Sequence, residues 1–428
     1  MRLTPAIRIA LGGALIAAVA VGAYGAADTA NTRLQQLAGE MAENPAKAKQ
    51  IAAGYGVDWC QTEIAFARRY PDRKGLQSAA ACPLEGDCDN ASVRDESIPG
   101  PSSPPLTIRL KFNVFAMDNG RRAMATQADV DAQVDQLNSD YAPVGINFSY
   151  TTEFINSTAY RNFSDVEESA MKSAYADAPD QQVNIYVVDI LAGYLGVGTF
   201  AWDPNALGPL GGIIVDGDWF GAGQKTLTHE LGHNLGLWHT HHGVSEVAQC
   251  SACWERADGL DGDATGDFCS DTDPTPVNYY CSPPGGTDPC SGIDWGPTDP
   301  QNYMGYAADA CYTEFSPQQW GRMHCWINSV LQGWVESATP TCDCSARGDV
   351  DSDGYLEALD LTALIDHVFS NAPQPPIDDS CPYGDRGDLD CSGYDDALDI
   401  TYLIDLLFAN GPMPCDPCTC DPYPTNCP

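Results

Sequence analysis

Regular alternation of apolar and polar positions sets in after the Pro-rich stretch Pro99–Pro105. From Thr107 to Phe115 the apolar residues Ile108, Leu110, Phe112 and Val114 alternate, which predicts a strand with one buried face. Thr126 with Asp129 three positions on is a capping-box-like helix start, and Val130, Val134, Leu137 and Tyr141 then recur on one helical face. Short β-type runs follow at Ile146–Tyr150, Val183–Val188 and Gly212–Val215. The last leads through Gly221 and Gly223 into a helix predicted to begin near Gln224. This pattern predicts a mixed α/β domain. From about Asp261 to Thr298 the periodicity fades into Gly, Pro, Asp and Cys, so a long loop region needs staples from cysteines and an ion.

The flanks read differently. Arg2 and Arg8 precede an apolar run from Ile9 to about Val21, and small residues follow at Ala23, Gly25, Ala26 and Ala27, which predicts a signal peptide over residues 1–27. Residues 28–104 are read as a pro-segment and linker: Ala-rich and polar, with the basic stretch Arg68, Arg69, Arg73, Lys74, then Cys82 and Cys88, read as a local disulfide pair. The main domain is expected over 105–340. Beyond it, Gly348–Phe369 recurs as Gly387–Phe408, an offset of 39 residues, so 341–412 is a duplicated module and 413–428 a Cys/Pro tail.

Composition narrows the partners. With 59 acidic against 21 basic residues the net charge is −38, which disfavours nucleic acid and anionic membranes and favours divalent cations. Eighteen dispersed cysteines fit an oxidising compartment. No later segment is long and apolar enough to span a bilayer, so a soluble mature protein, secreted or held at the cell surface, is expected.

The strongest chemistry lies in Thr228–Thr240, which contains HELGHNLGLWH. His229 and His233 project from one helix face about a turn apart, as two ligands of a tetrahedral Zn²⁺ must. Gly236 can end the helix at positive φ so that His239 supplies a third nitrogen, leaving one position open, as in a catalytic site. Glu230 lies beside them, placed to take a proton from the attacking water and return it to the leaving amine.

HExxHxxGxxH followed by Asn302-Tyr303-Met304-Gly305-Tyr306 resembles the metzincin peptidases. Thr226–Thr240, Gly266–Thr272 and Asp299–Met323, in that order, narrow the resemblance to the pappalysin type over roughly Leu106 to Gly333. The resemblance implies a metzincin-type catalytic domain with a twisted mixed sheet, two long helices and a cleft. It implies Met304 as an apolar floor that does not bind the metal, and Tyr306 as a donor to the tetrahedral oxyanion. It implies calcium ligands in Asp267, Asp271 and Thr272, although Phe268-Cys269-Ser270 and the extra Asp273 depart from the family pattern. It pairs Cys250 or Cys253 with Cys290, and Cys281 with Cys311, leaving Cys269 and Cys325 unassigned. Some relatives of this type favour a basic residue after the scissile bond through an acid near this loop, and Asp309 is close to that place. Cys60 is a candidate thiolate for the open zinc position in a latent form.

In the duplicated module, Asp349, Asp351, Asp353, Gly354, Glu357 and Asp360 stand at positions 1, 3, 5, 6, 9 and 12 of a calcium loop. Asp388, Asp390, Ser392, Gly393, Asp396 and Asp399 repeat them, and an apolar-periodic helix follows each loop. With Asp at position 12 and no entering helix, the module resembles a dockerin, a small all-α calcium-loop and helix unit whose partner is a cohesin. The expectation is a secreted, zinc-dependent endopeptidase with one catalytic Zn²⁺ and two module Ca²⁺, made as a zymogen and tethered or stabilised through the dockerin-like module. A cohesin-binding surface-assembly protein with a degenerate peptidase domain is the alternative, against which Glu230 argues.

Overall fold

The β-patterned runs after residue 105 become neighbours in one sheet in the computed structural model. It describes residues 36–37, 40–41, 48–54, 58–71, 81–101, 103–336, 348–351, 355–370, 386–390, 392, 395–409 and 411. The helices are α1 (Ala48–Gly54), α2 (Thr62–Arg69), α3 (Ala91–Glu96), α4 (Gln127–Tyr141), α5 (Thr158–Arg161), α6 (Glu168–Tyr175), α7 (Thr226–Asn234), α8 (Pro317–Ser329), α9 (Ala358–Ser370) and α10 (Ala397–Ala409). The strands are β1 (Leu106–Ala116), β2 (Ile146–Asn156), β3 (Asn162–Phe163), β4 (Val183–Ile190), β5 (Gly196–Val197) and β6 (Ile213–Asp216). The chain divides into two compact units, Met1–Val335 and Glu336–Pro428.

The sheet order is β2-β1-β4-β6-β5, with β3 beside β4. All pairs are parallel except β5 with β6. β4 is buried almost throughout, as a central parallel strand covered on both faces must be. On one face Leu110, Phe112, Ile185 and Val215 pack against Val130, Val134 and Leu137 of α4 and Leu227 and Leu231 of α7. On the other, Phe115, Tyr186, Val188 and Ile214 pack with Met171 of α6. Each fully buried aliphatic side chain contributes about 1.5–3 kcal/mol, so the α4 stripe alone fixes how that helix lies against the sheet.

The Thr126/Asp129 capping box forms as expected and starts α4. Two boundaries shift. The strand expected at Ile146–Tyr150 runs on to Asn156, because β2 is a half-exposed edge strand held along its length by β1 and its polar residues hide the period. The helix expected near Gln224 begins at Thr226, after Lys225.

The local Cys82–Cys88 pair does not form. Cys82 bonds Cys253 and Cys88 bonds Cys325, across 171 and 237 residues. The physical reason is that residues 82–98 pack onto the main domain, where Arg322 pairs with buried Asp89 and Arg94 bonds Asp263 and the Phe268 carbonyl. Cys250–Cys290 and Cys281–Cys311 form, and Cys60 and Cys269 are free thiols.

In the second unit, Val350, Leu364, Leu389, Ile400 and Leu403 make a small core between α9 and α10. The signal-peptide region, Arg73, Lys74, Asp353, Gly354, Gly393 and the tail from residue 412 lie outside the described residues.

Candidate active site

The α7 helix carries His229 and His233 side by side, and it stops where Gly236 adopts φ +98°. A Cβ there would meet the Trp326 ring at 2.0 Å, so only glycine lets the chain turn and bring His239 back. The Nε2 atoms of His229, His233 and His239 lie 3.1 Å from one another, and all three rings are buried. A tetrahedral zinc with Zn–N bonds of about 2.0–2.1 Å needs nitrogens roughly 3.3 Å apart. This donor set therefore fits zinc.

Each ring is aimed from behind. The Nδ1 of His229 meets the Tyr303 carbonyl at 2.7 Å, that of His233 the Leu237 carbonyl at 2.8 Å, and that of His239 the Glu246 carboxylate at 2.8 Å. With Nδ1–H donating outward, Nε2 keeps its lone pair toward the common centre. Burial, followed by the neighbouring rings, holds His229 and His233 well below the ordinary imidazole range, in the neutral form a cation needs.

Glu230 is fully buried beside the triad. Burial pushes its carboxyl up to about 7, and only partly do hydrogen bonds oppose this. Gly196 and Gly198 line its cradle: a Cβ on either would come within 2.7 Å of Glu230 or Asn234 side-chain atoms. Met304 is wholly buried under α7, with Gly232 making room for its sulfur.

A segment from before the main domain crosses this centre. Trp59 to Gln61 pairs with β5 at Gly196, and Cys60 Sγ lies 3.4 Å from His233 Nε2, so Cys60 and the three histidines form one group of ligand atoms. Around it, Tyr306 donates to Asp58 at 2.7 Å and Thr62 donates to Glu230 at 2.7 Å. Glu63 reaches His242 at 2.8 Å.

The Peptidase_M43 family model, described as Pregnancy-associated plasma protein-A, matches residues 165–328. Human pappalysin-1 is 42% identical over 149 residues, 34% of this chain but 9% of its own length. An extracellular metalloprotease of Colletotrichum graminicola is 32% identical over 237 residues, 51% of this chain and 76% of the relative. The chain belongs to the pappalysin family of metalloproteases. Among solved structures, a Tannerella forsythia promirolysin mutant aligns with 63% of this chain and 90% of its own, at 18% identity and TM-score 0.42.

Other family positions behave unevenly. Asp267 and Thr272 come together, with the Thr272 hydroxyl donating to Asp267 at 2.8 Å. Asp271 is engaged elsewhere, accepting from Ser316 and from the Gln318 amide at the start of α8. Beside Asp267 sits buried Glu255, which sequence reasoning missed; burial and then Asp267 raise its carboxyl well above the usual range. Asp140 was missed as well. It accepts from Lys225, Thr228 and Tyr303 at 2.6–2.9 Å, tying α4 to the start of α7 and to the Met304 turn. Neither residue sits in a motif that could have marked it. In the second unit, Asp349, Asp351 and Asp360 bring their carboxylates together, as do Asp388, Asp390 and Asp399. Ser392 and Asp396 lie in the second loop, where the Ser392 amide donates to Asp388 and the Asp396 amide to Asp399; the Glu357 amide donates to Asp360.

Proposed function

We propose that this chain is a secreted zinc-dependent endopeptidase made as a zymogen. The observation that carries the reading is the equilateral set of three imidazole nitrogens with a buried carboxylate beside it. A bound Zn²⁺ would polarise the scissile carbonyl and acidify a water. Glu230, with a carboxyl near 7, takes that water's proton and passes it to the departing amine. Tyr306, once free of Asp58, donates its hydroxyl to the developing oxyanion. Secretion is supported by relatives named extracellular metalloproteases; among the described residues no helix is long and apolar enough to cross a membrane.

Cys60 supplies the latent form's fourth ligand. Burial and Glu230 push its thiol up, so a cation is needed to draw off its proton. A preference for Lys or Arg after the scissile bond has support from the pro-segment itself. Buried Lys49 pairs with Asp309 at 2.9 Å, donates to the Tyr312 hydroxyl and the Ala307 carbonyl, and lies over the Trp59 ring that faces His229. The test is cleavage of a peptide by the parent and by Glu230→Ala, both first activated by limited proteolysis after Pro71, each with and without a zinc chelator. Activity only in the parent without chelator supports the assignment; equal activity in all four samples overturns it.

Calcium completes three further places. Asp267 and Thr272, with Glu255 added, offer hard oxygen ligands in the loop region, and the paired Asp clusters of the module do so twice. A dockerin-like tether to a cohesin-type partner is supported by equivalent apolar residues left exposed on both helices: Leu359 and Leu398, Ile365 and Ile404, Phe369 and Phe408. Pull-down of a cohesin-type partner by the full chain with calcium but not with a chelator supports the tether; calcium-independent capture removes it.

A further inference from the structure

Two acidic pockets flank the zinc centre, and a pro-segment cation fills each. The chain meets Asp309 with Lys49, passes the triad at Cys60, and meets Asp203 with Arg69 at the end of α2. Asp203 is buried, its side chain 1% exposed. Its Oδ1 accepts from the Asn205 amide and side chain and from the Tyr70 hydroxyl, all within the domain except Tyr70. Its Oδ2 accepts from Arg69 at 2.7 Å, and among the described residues that guanidinium is its donor. Glu168 adds a second carboxylate 3.9 Å from Arg69 and is itself anchored by buried Lys172 at 2.9 Å.

The pocket is continuous with the cleft wall. Asp203 follows Phe200 and Trp202, whose rings stack at 4.3 Å, and Phe200 stands edge-on to His233 at 5.2 Å. Phe66 of α2 covers both rings in the latent form. Departure of α2 therefore uncovers an aromatic shelf ending in a carboxylate oxygen that has lost its cation. Oδ1 stays held by Asn205 while Oδ2 is left open, so the geometry Arg69 used is preserved for another guanidinium or ammonium group.

We propose that Asp203, backed by Glu168, is a substrate subsite for an arginine or lysine side chain lying N-terminal to the scissile bond. The side follows from Asp309: with Asp309 receiving the residue after the bond, Asp203 lies on the other side of the triad along the same crossing segment. This inference rests on the zymogen reading. It makes the peptidase selective for sequences with basic residues on both sides of the cut, and Arg69 occupies the second pocket in advance.

The test uses the full chain activated by limited proteolysis between residues 71 and 81, with the released segment removed. Peptides carry one Arg moved a position at a time through the residues before the scissile bond, against an all-Ala parent. The activated enzyme should favour Arg at one of these positions by about tenfold or more in kcat/KM, and Asp203→Asn should bring that ratio toward one. A second measurement leaves the enzyme unaltered: a synthetic Asp58–Tyr70 peptide should inhibit it, and Arg69→Ala in the peptide should weaken inhibition about tenfold. An activated enzyme with no such preference, or one unchanged in Asp203→Asn with equal inhibition by the two peptides, overturns the subsite alone. A full chain that cleaves equally fast before processing removes the zymogen reading and this inference with it, since Asp203 would then remain covered.

Discussion

Glu246 shows how much of a metal site lies behind its ligands. Its carboxylate fixes the His239 ring at 2.8 Å and also contacts His242 at 3.2 Å. Glu246→Gln is expected to weaken zinc affinity by about 10–100-fold, measured by competition with a chelator; an unchanged affinity contradicts the role given to the ring's Nδ1 partner. Glu255 and Asp267 give a pH test. Burial raises both carboxyls, and in Glu255 the neighbouring Asp267 adds to it. A carboxyl whose folded pKa is raised takes up protons on folding. Without a cation the domain therefore loses stability as pH climbs above the ordinary carboxylate range of about 4, and the loss is complete above the raised values. In a chelator Tm should fall on going from about pH 5 to about pH 8, and calcium should restore it at the upper end. A Tm indifferent to calcium at about pH 8 contradicts calcium binding there.

Elements turn these residues into a site. Gly236 is the hinge at the end of α7, and Gly236→Ala must both strain a φ of +98° and push a methyl into Trp326. We expect a loss of about 2–4 kcal/mol in unfolding free energy, together with lost zinc affinity, since His239 can no longer return. A variant that melts like the parent contradicts this account of the turn. The sequence made α4, β1, β4, β6 and the three histidines legible, because caps, alternation and fixed ligand spacing are local signals. β2 was only half legible, since an edge strand need not alternate once its partner holds it. Asp58, Thr62, Asp140 and Asp203 were not legible at all: they are ordinary acids and a threonine whose roles arise from contacts 88 to 248 residues away, or from a turn next door. The Cys82 and Cys88 bridges hid for the same reason, since nearness in sequence favours the local pair and only packing of α3 on α8 decides otherwise.

At the scale of the whole molecule, those bridges decide which part of the chain before residue 105 a cut can release. Residues 82–98 are bonded to the main domain through Cys82 and Cys88, whereas Cys60 is a free thiol and α2 holds only non-covalent contacts. A cut in the connection after Pro71 should free the segment carrying Lys49, Cys60 and Arg69 and leave Cys82 onward with the enzyme. Mass spectrometry of the processed chain should find that segment lost without reductant and residues 82–98 retained. Loss of residues 82–98 under the same conditions contradicts the bridges. Release of that segment would take Cys60 away from His233 together with the Thr62–Glu230 and Asp58–Tyr306 contacts, as the proposed zymogen reading requires.

The most direct measurement is X-ray absorption at the zinc edge of the purified full chain, with metal content determined on the same sample. The account predicts one zinc per chain held by three nitrogens at about 2.0–2.1 Å and one sulfur at about 2.3 Å, the sulfur disappearing once the Cys60 segment is removed. A zinc shell with fewer than three nitrogens, or a chain that binds no zinc, would contradict it.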